Sequence, residues 1–97
     1  MTYHIHIKGQ VQGVGFRPFI YRLAQKMNLN GWVKNTEDGV HIEVNCEGKT
    51  IDDFVKCIME GIPPQAKIEY LIRQEVPPQY QRYFEHFSNL DKARNRA

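Results

Sequence analysis

The chain has 97 residues, 41% of them hydrophobic and 25% charged, with a formal net charge of only +2. That length supports one domain with a single two-layer core, burying roughly two-thirds of its unfolded surface. Lys and Arg are interspersed with Asp and Glu, so there is no basic stripe of the kind a general nucleic-acid binder carries, and no apolar run approaches a membrane span.

Thr2 to Lys8 alternates, with Tyr3, Ile5 and Ile7 on one side and His4, His6 and Lys8 on the other, the period of a half-buried strand. The N-terminus has no basic region, apolar stretch or cleavage site, so a cytoplasmic location is the expectation. Gly9-Gln10-Val11-Gln12-Gly13-Val14-Gly15-Phe16-Arg17-Pro18 follows, a glycine-punctuated loop that delivers an arginine onto the start of a helix. Glycines permit positive φ and let successive N–H groups converge on one point. A helix N-terminus adds free donors and partial positive charge, Pro18 is tolerated in a first turn, and the planar guanidinium of Arg17 matches an oxyanion. The pattern predicts a phosphate cradle built from Val11, Gln12, Gly13, Val14, Gly15, Phe16 and Arg17. It is neither a nucleotide P-loop, which needs Lys-Ser/Thr after its last glycine, nor a dinucleotide fingerprint, whose third glycine is replaced by Pro18. No cysteine lies in the loop to act as a nucleophile.

Phe16, Ile20, Leu23, Ala24 and Met27 recur at helical spacing, and Asn28 with Asn30-Gly31 ends that helix. Trp32 to Asn35 and Val40 to Cys46 flank Thr36-Glu37-Asp38-Gly39 and read as a hairpin. Val40, Ile42, Val44 and Cys46 face inward, leaving His41, Glu43 and Asn45 outside. A second helix is predicted from Thr50, whose hydroxyl and Asp53 resemble a capping box. Ile51, Phe54, Val55 and Ile58 form its apolar stripe, and Gly61 with Pro63-Pro64 stops it. Ala66, Ile68, Tyr70 and Ile72, alternating with Lys67, Glu69, Leu71 and Arg73, predict a fourth strand. Tyr80 to Ser88 is compatible with a short fifth strand, whose face and register Tyr83, Phe84 and Phe87 leave open. The expected domain is 1–88, with 89–97 a charged tail or the opening of a linker.

The order strand, helix, strand, strand, helix, strand is the ferredoxin-like split βαβ class, an α+β sandwich (βαββαβ) with two helices on one face of an antiparallel sheet. Right-handed crossovers place the first and third strands centrally. Cys46 and Cys57 lack the spacing of a zinc or redox site, which favours free thiols. His4, His6, His41 and Glu43 share the open sheet face, where a metal site is geometrically imaginable. Solvated polar residues explain that pattern equally well, and neither a metal nor a cofactor is expected. Trp32, Tyr21 and Tyr80 read as packing residues, and Gln12 and Thr36 as neighbours of the site without an assigned role.

The run Val11-Gln12-Gly13-Val14-Gly15-Phe16-Arg17, with Gly31-Trp32-Val33-Lys34-Asn35-Thr36-Glu37-Asp38-Gly39 downstream, resembles the acylphosphatase family. Gly15-Phe16-Arg17-Pro18-Phe19-Ile20-Tyr21-Arg22-Leu23-Ala24 and Pro63-Pro64-x-Ala66-x-Ile68 look closer still to one branch, the N-terminal domain of the hydrogenase-maturation carbamoyltransferase (HypF). The resemblance covers residues 3 to 88. It implies a catalytic pair, Arg17 holding the phosphoryl group with the loop amides and Asn35 orienting the attacking water. The implied activity is metal-independent hydrolysis of a carboxylic-phosphoric anhydride or carbamoyl phosphate, releasing inorganic phosphate. The alternative is a carbamoyl-phosphate-binding module working with downstream domains of a larger protein. Neither reading involves nucleic acid or a membrane.

Overall fold

The computed structural model describes residues 1–77 together with the short strand Ser88–Asn89. The elements run β1 (Thr2–Gln10), α1 (Phe16–Lys26), β2 (Asn30–Thr36), β3 (Gly39–Asn45), α2 (Gly48–Gly61), β4 (Lys67–Val76) and β5 (Ser88–Asn89). The sheet order is β4-β1-β3-β2-β5, so the first and third strands are central as expected. The pairs β1/β3, β1/β4 and β2/β3 are antiparallel, and Ser88–Asn89 adds to the outer edge of β2 in parallel. The rest of segment 80–88, Tyr80 included, and the rest of the 89–97 tail lie outside the described residues.

One sheet face is closed by the two helices. Ile5 and Ile7 of β1, Val33 of β2, and Val40, Ile42 and Val44 of β3 meet Phe16, Ile20 and Ala24 of α1 and Ile51, Phe54 and Ile58 of α2 in one buried cluster. Each large side chain removed from water there contributes about 1.5–3 kcal/mol, so the alternation in β1 and β3 and the helical stripes fix which face is covered. The end of α1 is closed by Asn28 at φ 61°: its N–H reaches Gln25 O at 3.1 Å, and that of Leu29 reaches Ala24 O at 2.9 Å. Asparagine tolerates this left-handed position, and the two bonds form a Schellman closure. Asn30 and Gly31, expected only to end the helix, already belong to β2.

Three expectations need correction. The second helix starts at Gly48 with Glu47 as N-cap and no side-chain cap, so Thr50 lies inside the first turn and forms no capping box. Cys46 packs against the core as expected but falls just beyond the end of β3, which stops at Asn45. On β4, Tyr70 and Ile72 are 40% and 49% exposed, while Ile68 and Leu71 pack against the core. The register explains it: Lys8 pairs with Tyr70 but Gly9 with Ile68, leaving Glu69 as the extra residue of a β-bulge. A bulge reverses which alternate residues face inward. Gly9 allows the close approach, since a Cβ there would lie 2.1 Å from Lys67 O.

Candidate active site

The predicted cradle is residues 11–15 and the first turn of α1, at the end of the sheet where β1 passes to the helix layer. Val11 and Phe16 are each 1% exposed and anchor the two ends of the loop in the core. Between them Gly13 and Gly15 hold φ 75° and 81°. A Cβ at either would meet nothing within 4 Å, so it is the left-handed backbone, not crowding, that requires glycine. Gly15 is the N-cap of α1: its carbonyl accepts from Phe19 N–H at 3.2 Å, no side chain caps the helix, and the first turn contains no acidic residue. The leading N–H groups of a helix have no intrahelical acceptor. Here they open the segment that carries half-buried Arg17, so the fixed positive charge and the helix's partial charge act at one end of the same element.

Asn35 stands near the end of β2, opposite Val40 and in alternation with Val33, which places it on the helix-covered side of the sheet. Its carboxamide oxygen is buried without a hydrogen-bond partner among the described residues. An unmatched buried acceptor of this kind costs about 1–3 kcal/mol. The loop and this strand are tied together: Gln12 Nε2 donates to Thr36 O at 2.6 Å, the residue after Asn35, and lies 3.5 Å from Gly39 O. Sequence placed Gln12 near the site without a role, because a side chain reaching across 24 positions leaves no local pattern. Val14 is half-buried against the core beside this tie.

The turn between β2 and β3 is braced from within. Thr36 Oγ1 donates to Asp38 Oδ1, and Asp38 N–H reaches back to Thr36 Oγ1 at 3.3 Å. These bonds, first Thr36 and then His41, hold the Asp38 carboxyl well below the usual carboxylate range. Beneath the turn the open-face histidines are not simply solvated. His4 Nδ1 lies 2.9 Å from Glu43 Oε2, His4 Nε2 2.8 Å from His41 Nδ1, and His41 Nε2 3.0 Å from Asp38 Oδ1. Glu43 is only 7% exposed, and Trp32, expected as a packing residue, is buried on this face in a T-shaped contact with His4. Tyr21, at the other side of the fold, accepts from Gln25 Nε2 at 3.1 Å.

The model of the acylphosphatase family matches residues 3–88. The chain belongs to the acylphosphatase family. Among its relatives, a carbamoyltransferase HypF from Synechocystis is 45% identical over 76 residues, covering 78% of this chain but 10% of that protein. A solved full-length HypF, in a phosphate- and nucleotide-bound form, superposes with a TM-score of 0.82 at 40% identity, over 91% of this chain and 11% of that one. The Bacillus subtilis acylphosphatase superposes with a TM-score of 0.78 at 35% identity over 91% of this chain and 96% of that enzyme. The fold is therefore the ferredoxin-like sandwich of this family. The chain spans about a tenth of the length of the carbamoyltransferases it matches and nearly the whole of a bacterial acylphosphatase. Among the described residues no helix is long and apolar enough to cross a membrane.

Proposed function

We propose that this domain hydrolyses acyl phosphates, with the phosphoryl group held by Arg17 and the amides of residues 11–17, and with water aimed at phosphorus by Asn35. The observation that carries the reading is the pairing of an uncapped, glycine-led helix start bearing Arg17 with a strand whose Asn35 oxygen is buried and unmatched, the two joined by Gln12. Negative charge spreads over the equatorial oxygens as an acyl phosphate passes through its loose transition state. Preorganised N–H donors and a guanidinium stabilise that charge. The departing carboxylate or carbamate is stable without protonation, so no strong general acid is required. Asn35 accepts a hydrogen bond from water and fixes its direction, but as a carboxamide it does not take the proton. The proton passes instead to an oxygen of the substrate's phosphate, and inorganic phosphate is released.

The similarity to the HypF domain favours a second reading of the same cradle, in which residues 1–88 bind and open carbamoyl phosphate for domains beyond a linker that starts at 89–97. Both readings are tested by assaying the purified chain, in chelator, against acetyl, benzoyl and carbamoyl phosphate. Turnover of all three supports a free hydrolase. Carbamoyl phosphate binding with negligible release of phosphate supports the module. Absence of both binding and turnover refutes the site.

A further inference from the structure

The open face carries a cluster of imidazoles and carboxylates that the phosphate cradle does not use. Glu43, His4, His41 and Asp38 form a line with three contacts at hydrogen-bond distance. His41 Nε2 stands at the outer end of that line, 3.0 Å from Asp38 Oδ1. His6 completes the set. It is the direct cross-strand partner of His41, its ring stacks on that of His41 at 4.3 Å, and its Nε2 lies 3.8 Å from Asp38 Oδ2.

We propose that His6, His41 and Asp38 bind a first-row divalent cation, with zinc as the best match, at a site separate from the phosphate cradle. The donor atoms of the three residues all lie within 4.8 Å of one another. Zinc bonds of 2.0–2.2 Å at tetrahedral angles require donors about 3.3–3.5 Å apart. His41 Nε2 lies 3.0 Å from Asp38 Oδ1 and His6 Nε2 3.8 Å from Oδ2 of the same carboxylate, so closure on one ion requires the His6 ring to turn out of its stack on His41 and to release its present bond to Asp38 O. Two imidazoles and one carboxylate suit zinc and its neighbours over magnesium or calcium, which prefer all-oxygen shells. The Glu43–His4–His41 line is the outer support that fixes the orientation of a metal-binding histidine. The fourth position opens to solvent. A bound ion would join β1, β3 and the turn that follows Asn35.

The test uses the untagged full chain, stripped with chelator, desalted, and titrated with zinc chloride in phosphate-free buffer. Calorimetry is expected to give one ion per chain, and zinc at tenfold excess over its dissociation constant should raise the melting temperature by about 5–10 °C. Magnesium should do nothing. His41→Ala should weaken binding at least about tenfold. His6→Asn, which keeps an N–H for the Asp38 carbonyl and so the local fold, should do the same. Arg17→Gln, and the double replacement Cys46→Ser with Cys57→Ser, should bind as the parent does. The proposal is overturned by an unchanged melting curve at saturating zinc, by binding that survives both histidine variants, or by binding lost with the cysteines. None of these readouts depends on turnover, so the outcome stands apart from that of the phosphate site.

Discussion

Alanine substitution at two glycines of positive φ should have very different consequences, because one is surrounded by space and the other by backbone. At Gly15, with φ 81° and nothing within 4 Å of a Cβ, the cost is the left-handed conformation alone. That is about 1–2 kcal/mol, offset by about 0.4–1 kcal/mol from the stiffer unfolded chain. A net loss of at most about 1.6 kcal/mol follows, or no more than roughly 10 °C in melting temperature for a domain of this size. At Gly31, with φ 147°, a Cβ would stand 1.8 Å from Glu43 O and 3.0 Å from Val44 Cα. Those atoms belong to β3, whose Val44 is the direct partner of Gly31. Relief therefore requires separating two paired strands, which exceeds the ordinary overpacking cost of about 1–3 kcal/mol and approaches the whole stability of a small domain, about 5–15 kcal/mol. Urea titration followed by circular dichroism and by the fluorescence of the single tryptophan, Trp32, measures both. Gly31→Ala should lack a cooperative transition or lose more than about 3 kcal/mol. Equal losses at the two positions, or a Gly31→Ala midpoint at the parental value, would refute the reasoning.

Other consequences are open to direct measurement. Phe54 is fully buried between helix and sheet, so Phe54→Ala should cost about 3–5 kcal/mol in chemical denaturation, whereas Met59→Ala, at a position 48% exposed, should stay within about 0.5 kcal/mol. Burial pushes the Cys46 thiol above its ordinary pKa. Its alkylation by iodoacetamide near pH 8 should be slower than that of free cysteine and keep rising at more alkaline pH. The folded state holds that proton more tightly than the unfolded chain, so the linked stability is present below the ordinary thiol pKa and declines as pH rises through the raised one. A rate that plateaus below pH 8.5, the value for an unperturbed thiol, would contradict this.

The sandwich was legible because its core residues obey simple periods: Tyr3, Ile5 and Ile7 alternate, and Phe16, Ile20 and Ala24 recur along a helix. What escaped sequence reading is non-local. The reversal of Tyr70 and Ile72 depends on a bulge that Gly9 of another strand makes room for. The start of α2 at Gly48 overrides the capping signal at Thr50, since helix boundaries follow packing as well as local chemistry. At the cradle, the special backbone of Gly13 and Gly15 was readable from the glycines themselves. The tie from Gln12 to Thr36 and the unmatched oxygen of Asn35 were not, because each depends on residues brought together by the β2–β3 hairpin. The histidines were visible as one face of a strand. Their hydrogen-bonded line appears only once the β1/β3 register sets His4 opposite Glu43 and His6 opposite His41.

The central claim is that Arg17 with the loop amides holds the phosphoryl group while Asn35 directs water, and paired kinetics test it most directly. Steady-state hydrolysis of benzoyl phosphate, with inorganic phosphate as competitive inhibitor, separates the two roles. Asn35→Ala should lower kcat by about 10²-fold or more with phosphate inhibition retained. Arg17→Gln should lose both turnover and phosphate inhibition, by about 10²–10³-fold in kcat. Parental kinetics in either variant, with the fold intact by circular dichroism, would contradict the account.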